Sequence, residues 1–338
     1  MSGIRIYNVS LKGIQLSKGM SVQEFKSWII STLGGSSNDY YPSVVQSNDG
    51  GYVAVGYQNS QGQGSGYDAL IVKYDANLNV IKRAGLGGSS DDQYFSITQS
   101  NDGGYVAVGR QLSQGQGSLD ALIVKYDSNL NVIKQAGLGG SGGDTYQSVV
   151  QSNDGGYVAV GYQNSQGQGS SYDALIVKYD SNLNVIKQAG LGGSGSDQYR
   201  SIIQSNDGGY IAVGYQGSQG QGSYDALIVK YDSNLNVIKQ SGLGGSGTDQ
   251  YFSITQSNDG GYIAVGYQGS QGQGSNDALI VKYDSNLNVI KQAGLGGSAS
   301  DVYVSIIQSN DGGYIAVGYQ GSQAVSYTHL TLPTIYSV

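Results

Sequence analysis

The hexapeptide Ser-Asn-Asp-Gly-Gly-Tyr occurs six times in this chain, at spacings of 53, 52, 53, 52 and 52 residues. The copies begin at Ser47, Ser100, Ser152, Ser205, Ser257 and Ser309. A fixed period of this length indicates a repeat architecture, in which one supersecondary unit is copied along the chain. One such unit is too small to bury a core of its own, so the array must be stabilised by packing between neighbouring copies.

Each of the five complete copies contains four short apolar runs that are rich in Val, Ile and Tyr, a composition typical of strands. In one copy these runs are Tyr199–Gln204, Tyr210–Tyr215, Ala226–Tyr231 and Val237–Gly242. Turn-forming residues separate the first run from the second (Asn206–Gly209) and the third from the fourth (Asp232–Asn236). The pattern predicts a four-stranded antiparallel meander in every complete copy.

The middle two runs indicate how the sheets pack. Ile211–Val213 and Ala226–Val229 are apolar at successive positions, which is typical of strands covered on both faces. The fourth run is more polar, and Lys239 suits an outermost edge strand. We therefore predict an all-β chain, a β-propeller of four-stranded antiparallel blades. About six blades are expected, the last of them incomplete, because the sixth copy gives only its first two runs.

Composition excludes several classes of protein. The 338 residues include no cysteine, which excludes disulfides and thiol catalysis. The net charge is −7 and the basic residues are scattered, so a nucleic-acid surface is not expected. No apolar stretch reaches the roughly 18 residues of a membrane span. We predict no cofactor.

The repeats are predicted to occupy residues 27–323, with different segments on either side. Residues 1–26 match no repeat and show no secretory signal pattern, although Ser21 and Glu24 could form a helix-capping box. Residues Trp28–Gly35 align with the end of a fourth run, which suggests a strand that closes the ring from the far end, with Trp28 as its packing anchor. The tail, residues 324–338, resembles the translated read-through of a sequencing adaptor, a contaminant of assembled metagenomic reads. The alternative is a natural strand, because Ser326–Leu332 alternates and could serve as the third strand of the sixth blade.

Three motifs carry a resemblance to a known family: DGGYIAVGY, DALIVKYDSNLNVIK and GLGGSGTDQ. With them the chain resembles the bacterial seven-bladed β-propeller repeat family over roughly residues 28–323. The resemblance implies a secreted or cell-surface bacterial protein, but it implies little about function. The chain departs from the family in copy number and in the fourth run, where only Trp28 keeps the usual tryptophan.

Comparison of the copies locates a candidate binding site. The residue after the first tyrosine of each first run changes chemistry between copies, while its neighbours barely change. It is Pro42, Phe95, Gln147, Arg200, Phe252 and Val304. Arg110 and Leu112 likewise replace the residues found in other copies. First runs are expected to line the central channel, so these residues could shape a pocket; alternatively, they are simply exposed and unconstrained.

Tyrosines and aspartates supply further candidates. Those tyrosines near the loop face that are exposed could stack on sugar rings; the candidates are Tyr57, Tyr162, Tyr215, Tyr267 and Tyr319. A second series is expected to pack between blades with its hydroxyls at the rim: Tyr52, Tyr105, Tyr157, Tyr210, Tyr262 and Tyr314. The linker aspartates could hold cations or sugar hydroxyls, or else cap their own turns. They are Asp39, Asp92, Asp144, Asp197, Asp249 and Asp301. The adjacent Asp91 and Asp92 are expected to form a solvated linker.

The sequence offers little for metal binding or catalysis. Asp127–Asn131 resembles the start of a calcium loop, but Val132 and Leu138 replace the required glycine and acidic ligand. Acid–base catalysis needs unlike groups in unlike environments, and the chain has a single histidine, His329, and a single glutamate, Glu24. We predict a non-enzymatic binding or adhesion module, the domain of a longer chain and itself monomeric, whose loop face takes a glycan or an extracellular protein. The alternatives are a polysaccharide lyase or hydrolase on the same scaffold, and an architectural spacer.

Overall fold

The computed structural model describes residues 39–59, 66–112, 118–164, 171–217, 223–269 and 275–321, and the backbone of 328–330. All regular structure in these residues is β-strand, so the described part contains no helix that could cross a membrane. The predicted segment 1–26, the closing strand with Trp28 and most of each GQGS loop lie outside the described residues. The strands form six separate antiparallel sheets, here called blades 1 to 6 in chain order.

The strands follow one another along the chain in the same pattern. Blade 1 contains Asp39–Gln46, Tyr52–Gln58, Asp68–Tyr74 and Val80–Leu86 (β1 to β4). Blade 2 contains Asp92–Gln99, Tyr105–Gln111, Asp120–Tyr126 and Val132–Leu138 (β5 to β8). Blade 3 contains Thr145–Gln151, Tyr157–Gln163, Asp173–Tyr179 and Val185–Leu191 (β9 to β12).

The second half of the chain repeats this arrangement. Blade 4 contains Gln198–Gln204, Tyr210–Gln216, Asp225–Tyr231 and Val237–Leu243 (β13 to β16). Blade 5 contains Asp249–Gln256, Tyr262–Gln268, Asp277–Tyr283 and Val289–Leu295 (β17 to β20). Blade 6 contains Asp301–Gln308, Tyr314–Gln320 and Thr328–Leu330 (β21 to β23). The alternating tail thus supplies a short third strand to blade 6, as its pattern allowed.

Within a blade each strand pairs with the next, which confirms the predicted meander. The first turn closes because Ser205 N donates to Gly209 O (2.9 Å), with Gly208 at a φ of +84° that a side chain would disfavour. The turn before the fourth strand places Leu235 at a φ of +58°. This leucine is unusual among non-glycine residues in that region, and its side chain is buried against the neighbouring blade.

Each blade is covered by the next along the chain. Val158 and Ile176 on one face of blade 3 pack against Tyr199, Ile202 and Val229 of blade 4, and the same cluster recurs at every internal interface. Second and third strands are apolar on both faces because both faces are covered, as predicted. Fourth strands are the most exposed, which confirms that they form the outer edge.

The contribution of a neighbouring blade is visible at one repeat position. In blades 2 to 6 the equivalents of Val44 are 4–7% exposed, and Val149 is 7% exposed. Val44 itself, on the face of blade 1 that begins the array, is 61% exposed. The repeat places a similar residue in every blade, and the adjacent blade determines whether it is buried.

Polar contacts also join the blades. Tyr210 OH lies 2.6 Å from Ser152 Oγ of the preceding blade, and both groups are buried. The same bond is formed by Tyr105, Tyr157 and Tyr262. For these four tyrosines the prediction that the hydroxyl lies at the rim is wrong, because the hydroxyl is internal and satisfies a buried serine. Lys178 pairs with Asp154 at 2.7 Å and donates to the carbonyl oxygen of Ser233 in the next blade at 2.9 Å.

Candidate ligand site at the channel mouth

The first strands of consecutive blades contact one another, so they surround the propeller axis and line its channel. Their first residues lie at the face where linkers and second-to-third-strand loops meet. Asp92 N, for example, donates to Tyr67 O at 2.7 Å, and Tyr67 N donates to Asp91 Oδ1 at 2.9 Å. The linkers and the second-to-third-strand loops therefore share one face in the described residues. We call this end of the channel its mouth.

The variable residue of each first strand lies in a β-bulge. In blade 4, Tyr199 pairs with Gly214 and Ser201 with Val213, which leaves Arg200 between them without a partner in the ladder. The same shift brackets Phe95, Gln147, Phe252 and Val304, and in blade 1 it brackets Tyr41 with Pro42. A bulge changes the direction in which a side chain points. The position that varies between copies is therefore also the position that has no partner in the strand ladder.

A conserved feature of the repeat makes room for the bulge. A Cβ atom on Gly214 would lie 1.9 Å from the carbonyl oxygen of Gln198, which is impossible without moving the backbone. The glycine of the AVGY segment therefore permits the close approach of the first strand where it bulges.

Arg200 lies between two aromatic rings at the mouth. Its Cζ atom is 5.6 Å from the ring centroid of Tyr215 in its own blade and 6.0 Å from that of Phe252 in the next blade. Phe252 in turn packs on Tyr267, with centroids 5.8 Å apart. Arg200 Nε is buried and has no hydrogen-bond partner. Four of the predicted residues are thus brought together in one cluster across blades 4 and 5.

Blade 2 contains a similar pair with the two residue types exchanged. There the bulged residue is Phe95, and Arg110 occupies the second-strand position that is tyrosine in the other blades. The Cζ atom of Arg110 lies 5.5 Å from the ring centroid of Phe95, and Arg110 Nε is buried without a hydrogen-bond partner. Both arginines therefore stack on a ring at the mouth.

A third set of aromatic residues at the mouth was missed by the sequence analysis. Tyr67, Tyr172 and Tyr224 directly precede the third strands and pack edge-on against the second-strand tyrosines, with centroids 4.8–5.0 Å apart. Comparison of the copies would have found them, because Leu119 and Asn276 replace tyrosine at this position in the other two.

Burial and charge both act on the tyrosines of this cluster. Burial raises the pKa of Tyr215 to about 12, and the nearby Arg200 guanidinium acts in the opposite direction. Burial also raises the pKa of Tyr267 and of Tyr57, opposed by Arg200 and Arg110 respectively. These hydroxyls are therefore neutral hydrogen-bonding groups at neutral pH.

The other candidate residues are placed differently. Gln147 and Tyr162 are partly buried, and Val304, Tyr319 and Leu112 are exposed. Five of the six linker aspartates are buried rather than solvated, Asp92 among them at 2% exposure, and Asp39 is partly buried. Their side chains accept hydrogen bonds from backbone amides of the following loop, as from Leu112, Asn164, Gly217 and Gly269. They hold the linker against the blade, so we leave them out of the site proposed below.

The calcium-like turns are likewise closed by their own residues. Asp127 accepts hydrogen bonds from the backbone of Asn129 and from the backbone and side chain of Asn131, at 2.8–2.9 Å. These bonds lower the pKa of Asp127. The part of the chain that the structure describes contains no group of three or more His, Cys, Asp or Glu side chains arranged to hold a metal.

Comparison with known proteins supports the fold. The structure is similar to the WD40 domain of Pan2 from Neurospora crassa, with a TM-score of 0.50 and 12% identity, covering 82% of this chain and 72% of that one. It is also similar to Sqt1 from Chaetomium thermophilum (TM-score 0.49, 14% identity, 83% and 67% covered). A third similar structure is a protein of unknown function from Bacteroides caccae (TM-score 0.46, 9% identity, 78% and 85% covered).

The sequence itself has no such counterpart. No family model matches the chain, and no curated protein matches it. The repeated four-stranded sheets and the similarity to the Pan2 WD40 domain therefore show a β-propeller, and membership of the seven-bladed repeat family stays a prediction. The fold fits a binding or an architectural module.

Proposed function

We propose that this protein is a non-enzymatic binding module that takes a saccharide at the channel mouth, in the extracellular or cell-surface setting that its repeat resemblance implies. One observation carries the proposal. The repeat position that changes chemistry between copies is the bulged position of the channel-lining strand, and at blades 4 and 5 it joins an aromatic cluster. Variation on a fixed scaffold, at the ends of the strands that surround the axis, is typical of a recognition site.

The residues at the mouth suit a sugar. Phe252 and Tyr267 are partly exposed and supply rings that can lie against the apolar face of a pyranose, and the Tyr267 hydroxyl can form a hydrogen bond at its edge. Tyr215 is only 7% exposed, so it packs beside Arg200 and does not itself face the sugar. Arg200 adds a fork of donors within the same cluster. An apolar, aromatic lining with a few polar groups is the usual composition of a small-ligand site.

The same residues do not provide acid–base chemistry. A glycoside hydrolase uses two carboxyl groups that flank the scissile bond. In the described mouth, the bulged and second-strand positions carry Pro, Phe, Gln, Arg, Val and Tyr, with no Asp, Glu or His. The nearest repeated carboxylates, the linker aspartates, are buried and bonded to backbone amides. Binding is therefore favoured over catalysis.

A glycan array followed by calorimetry tests the proposal. We expect the wild-type protein to bind at least one saccharide, and the double variant Phe252→Ala/Tyr267→Ala to bind it at least 10-fold more weakly, since each lost stacking contact contributes about 1 kcal/mol. The matched control is Ile290→Ala, an exposed apolar residue on the outer edge of the same blade, which should bind as the wild type does.

Two results would contradict the proposal. One is that the wild-type protein binds no saccharide, which would leave a protein ligand or an architectural role. The other is that the double variant, shown by circular dichroism to be folded, binds as well as the control.

A further inference from the structure

We infer that the saccharide is acidic, and that Arg200 holds its carboxylate or sulfate group while the neighbouring rings hold the sugar. This inference rests on the proposed function and specifies the class of its ligand. It follows from three features of the mouth: a guanidinium without an anion, a pair of rings that orient it, and a second guanidinium two blades away.

Arg200 lacks the partner that a partly buried guanidinium usually has. All 23 aspartates of the chain lie in the described residues, and Glu24 is the one other acidic residue. Neither Arg200 nor Arg110 forms an ion pair within the described residues; lysines form the inter-strand ion pairs with Asp49, Asp102, Asp154, Asp207 and Asp259.

The unpaired Nε of Arg200 has an energetic cost. Arg200 Nε is buried and donates to no acceptor, so this donor loses its water without gaining a protein partner. An anionic oxygen at the mouth would supply the acceptor, in a charge-assisted bond that is stronger than a neutral one. The protein carries a net charge of −7, so the unpaired guanidiniums are a local exception to its overall charge.

Two rings lie beside the guanidinium. Tyr215 and Phe252 lie 5.6 and 6.0 Å from Arg200 Cζ, one in its own blade and the other in the next. Stacking restricts the planar fork, so less conformational freedom is lost when it binds a planar carboxylate in bidentate fashion. Phe252 also contacts Tyr267, which extends the apolar surface away from the charge. A sugar ring that bears an acidic group matches this arrangement, with the acidic group at Arg200 and the ring against Phe252 and Tyr267.

The second guanidinium favours a polymer over a single sugar. Arg110 in blade 2 stacks on Phe95 and also acts on Tyr57 of blade 1, whereas Arg200 belongs to blade 4. The corresponding positions in blade 3, Gln147 and Tyr162, are uncharged. The two positive groups are thus separated around the axis, which suits an oligosaccharide with more than one acidic residue.

The test measures binding of three probes: an oligogalacturonate, a sulfated dextran and a neutral dextran of similar length. We expect one or both acidic probes to bind more tightly than the neutral one, with an affinity that falls as salt is raised. Arg200→Gln should weaken that binding by about 10- to 100-fold, the usual effect of losing a hydrogen bond to a charged group. Arg200→Lys keeps the charge without the fork and should lie between the two.

The matched control is Lys187→Gln, which removes one positive charge from the outer edge strand of blade 3, where Lys187 bonds to Asn236. It should bind as the wild type does. If Arg200→Gln fails to fold, Arg110→Gln and the salt dependence of the wild-type protein provide the same measurement.

The outcomes separate this inference from the proposed function. Preference for an acidic probe, lost in Arg200→Gln and kept in Lys187→Gln, supports both, and the probe that binds distinguishes carboxylate from sulfate. Equal binding of neutral and acidic probes, or unchanged binding by a folded Arg200→Gln, overturns the inference and leaves the proposed function standing. If no saccharide of any kind binds, both are wrong.

Discussion

Because each blade is covered by its neighbour, the same substitution should have different effects on stability in two copies of one repeat position. Val149 in blade 3 and Val44 in blade 1 occupy equivalent positions, but their exposures are 7% and 61%. Replacing either with alanine removes the same two methyl groups. The comparison therefore isolates burial from residue type and from place in the repeat.

The expected magnitudes follow from the buried fractions. Two carbon groups contribute about 1.6 kcal/mol when fully buried, so Val149→Ala should cost roughly 1.5 kcal/mol from transfer alone. A cavity between two packed sheets adds to this cost, for a total of about 1.5–3 kcal/mol. Val44→Ala should cost no more than about 0.6 kcal/mol, because most of its side chain is already in water and no cavity is enclosed.

Urea unfolding followed by far-ultraviolet circular dichroism measures the difference. We expect the midpoint for Val149→Ala to fall clearly below that for Val44→Ala, with similar slopes if the array unfolds as one unit. An array of repeats can unfold in steps, so equality of slopes must be checked before free energies are compared. If Val44→Ala destabilises as much as Val149→Ala, lateral packing of blades is not the source of stability.

Three further predictions concern buried polar groups, pH and glycine. Tyr231→Phe should lower the free energy of unfolding by about 1–3 kcal/mol, because it leaves the buried hydroxyl of Tyr199, 2.5 Å away, without a hydrogen-bond partner. Changing both tyrosines to phenylalanine should cost little more than the single change. Additive losses in a double-mutant cycle would contradict this. Burial raises the pKa of Tyr231 to about 12, above the value of about 10 for an unfolded tyrosine. Its stabilising contribution is therefore complete below pH 10 and lost as pH rises from about 10 to 12. An alkaline titration should show the tyrosinate absorbance of the buried tyrosines appearing together with unfolding; ionisation of all tyrosines in folded protein would refute this. Gly214→Ala should destabilise strongly, because its Cβ would lie 1.9 Å from a backbone oxygen, while Gly85→Ala, with its nearest atom at 3.5 Å, should be tolerated; equal melting temperatures would show that the bulge does not need glycine.

The candidate site was only partly predictable from the sequence. Comparing copies identified Arg200, Phe252 and Arg110 as unusual, since neighbouring positions barely change. The contact between Arg200 and Phe252 joins two blades, and these residues are 52 positions apart, so no local pattern shows it. The aspartates show the opposite case: their repetition suggested a ring of ligands or a set of caps, and the structure places them in backbone hydrogen bonds.

The sequence by itself determined the unit of this fold. Its period, its four short apolar runs and its Asp-Gly-Gly turns are local properties, because turn geometry and strand propensity act over a few residues. Only the tertiary structure determined the burial and the hydrogen bonding of near-identical residues. Val44 is exposed while Val149 is buried, and the hydroxyl of Tyr210 is internal because a serine of the preceding blade reaches it. Burial and hydrogen bonding depend on what the adjacent sheet presents, and that surface comes from residues about one repeat away in the chain.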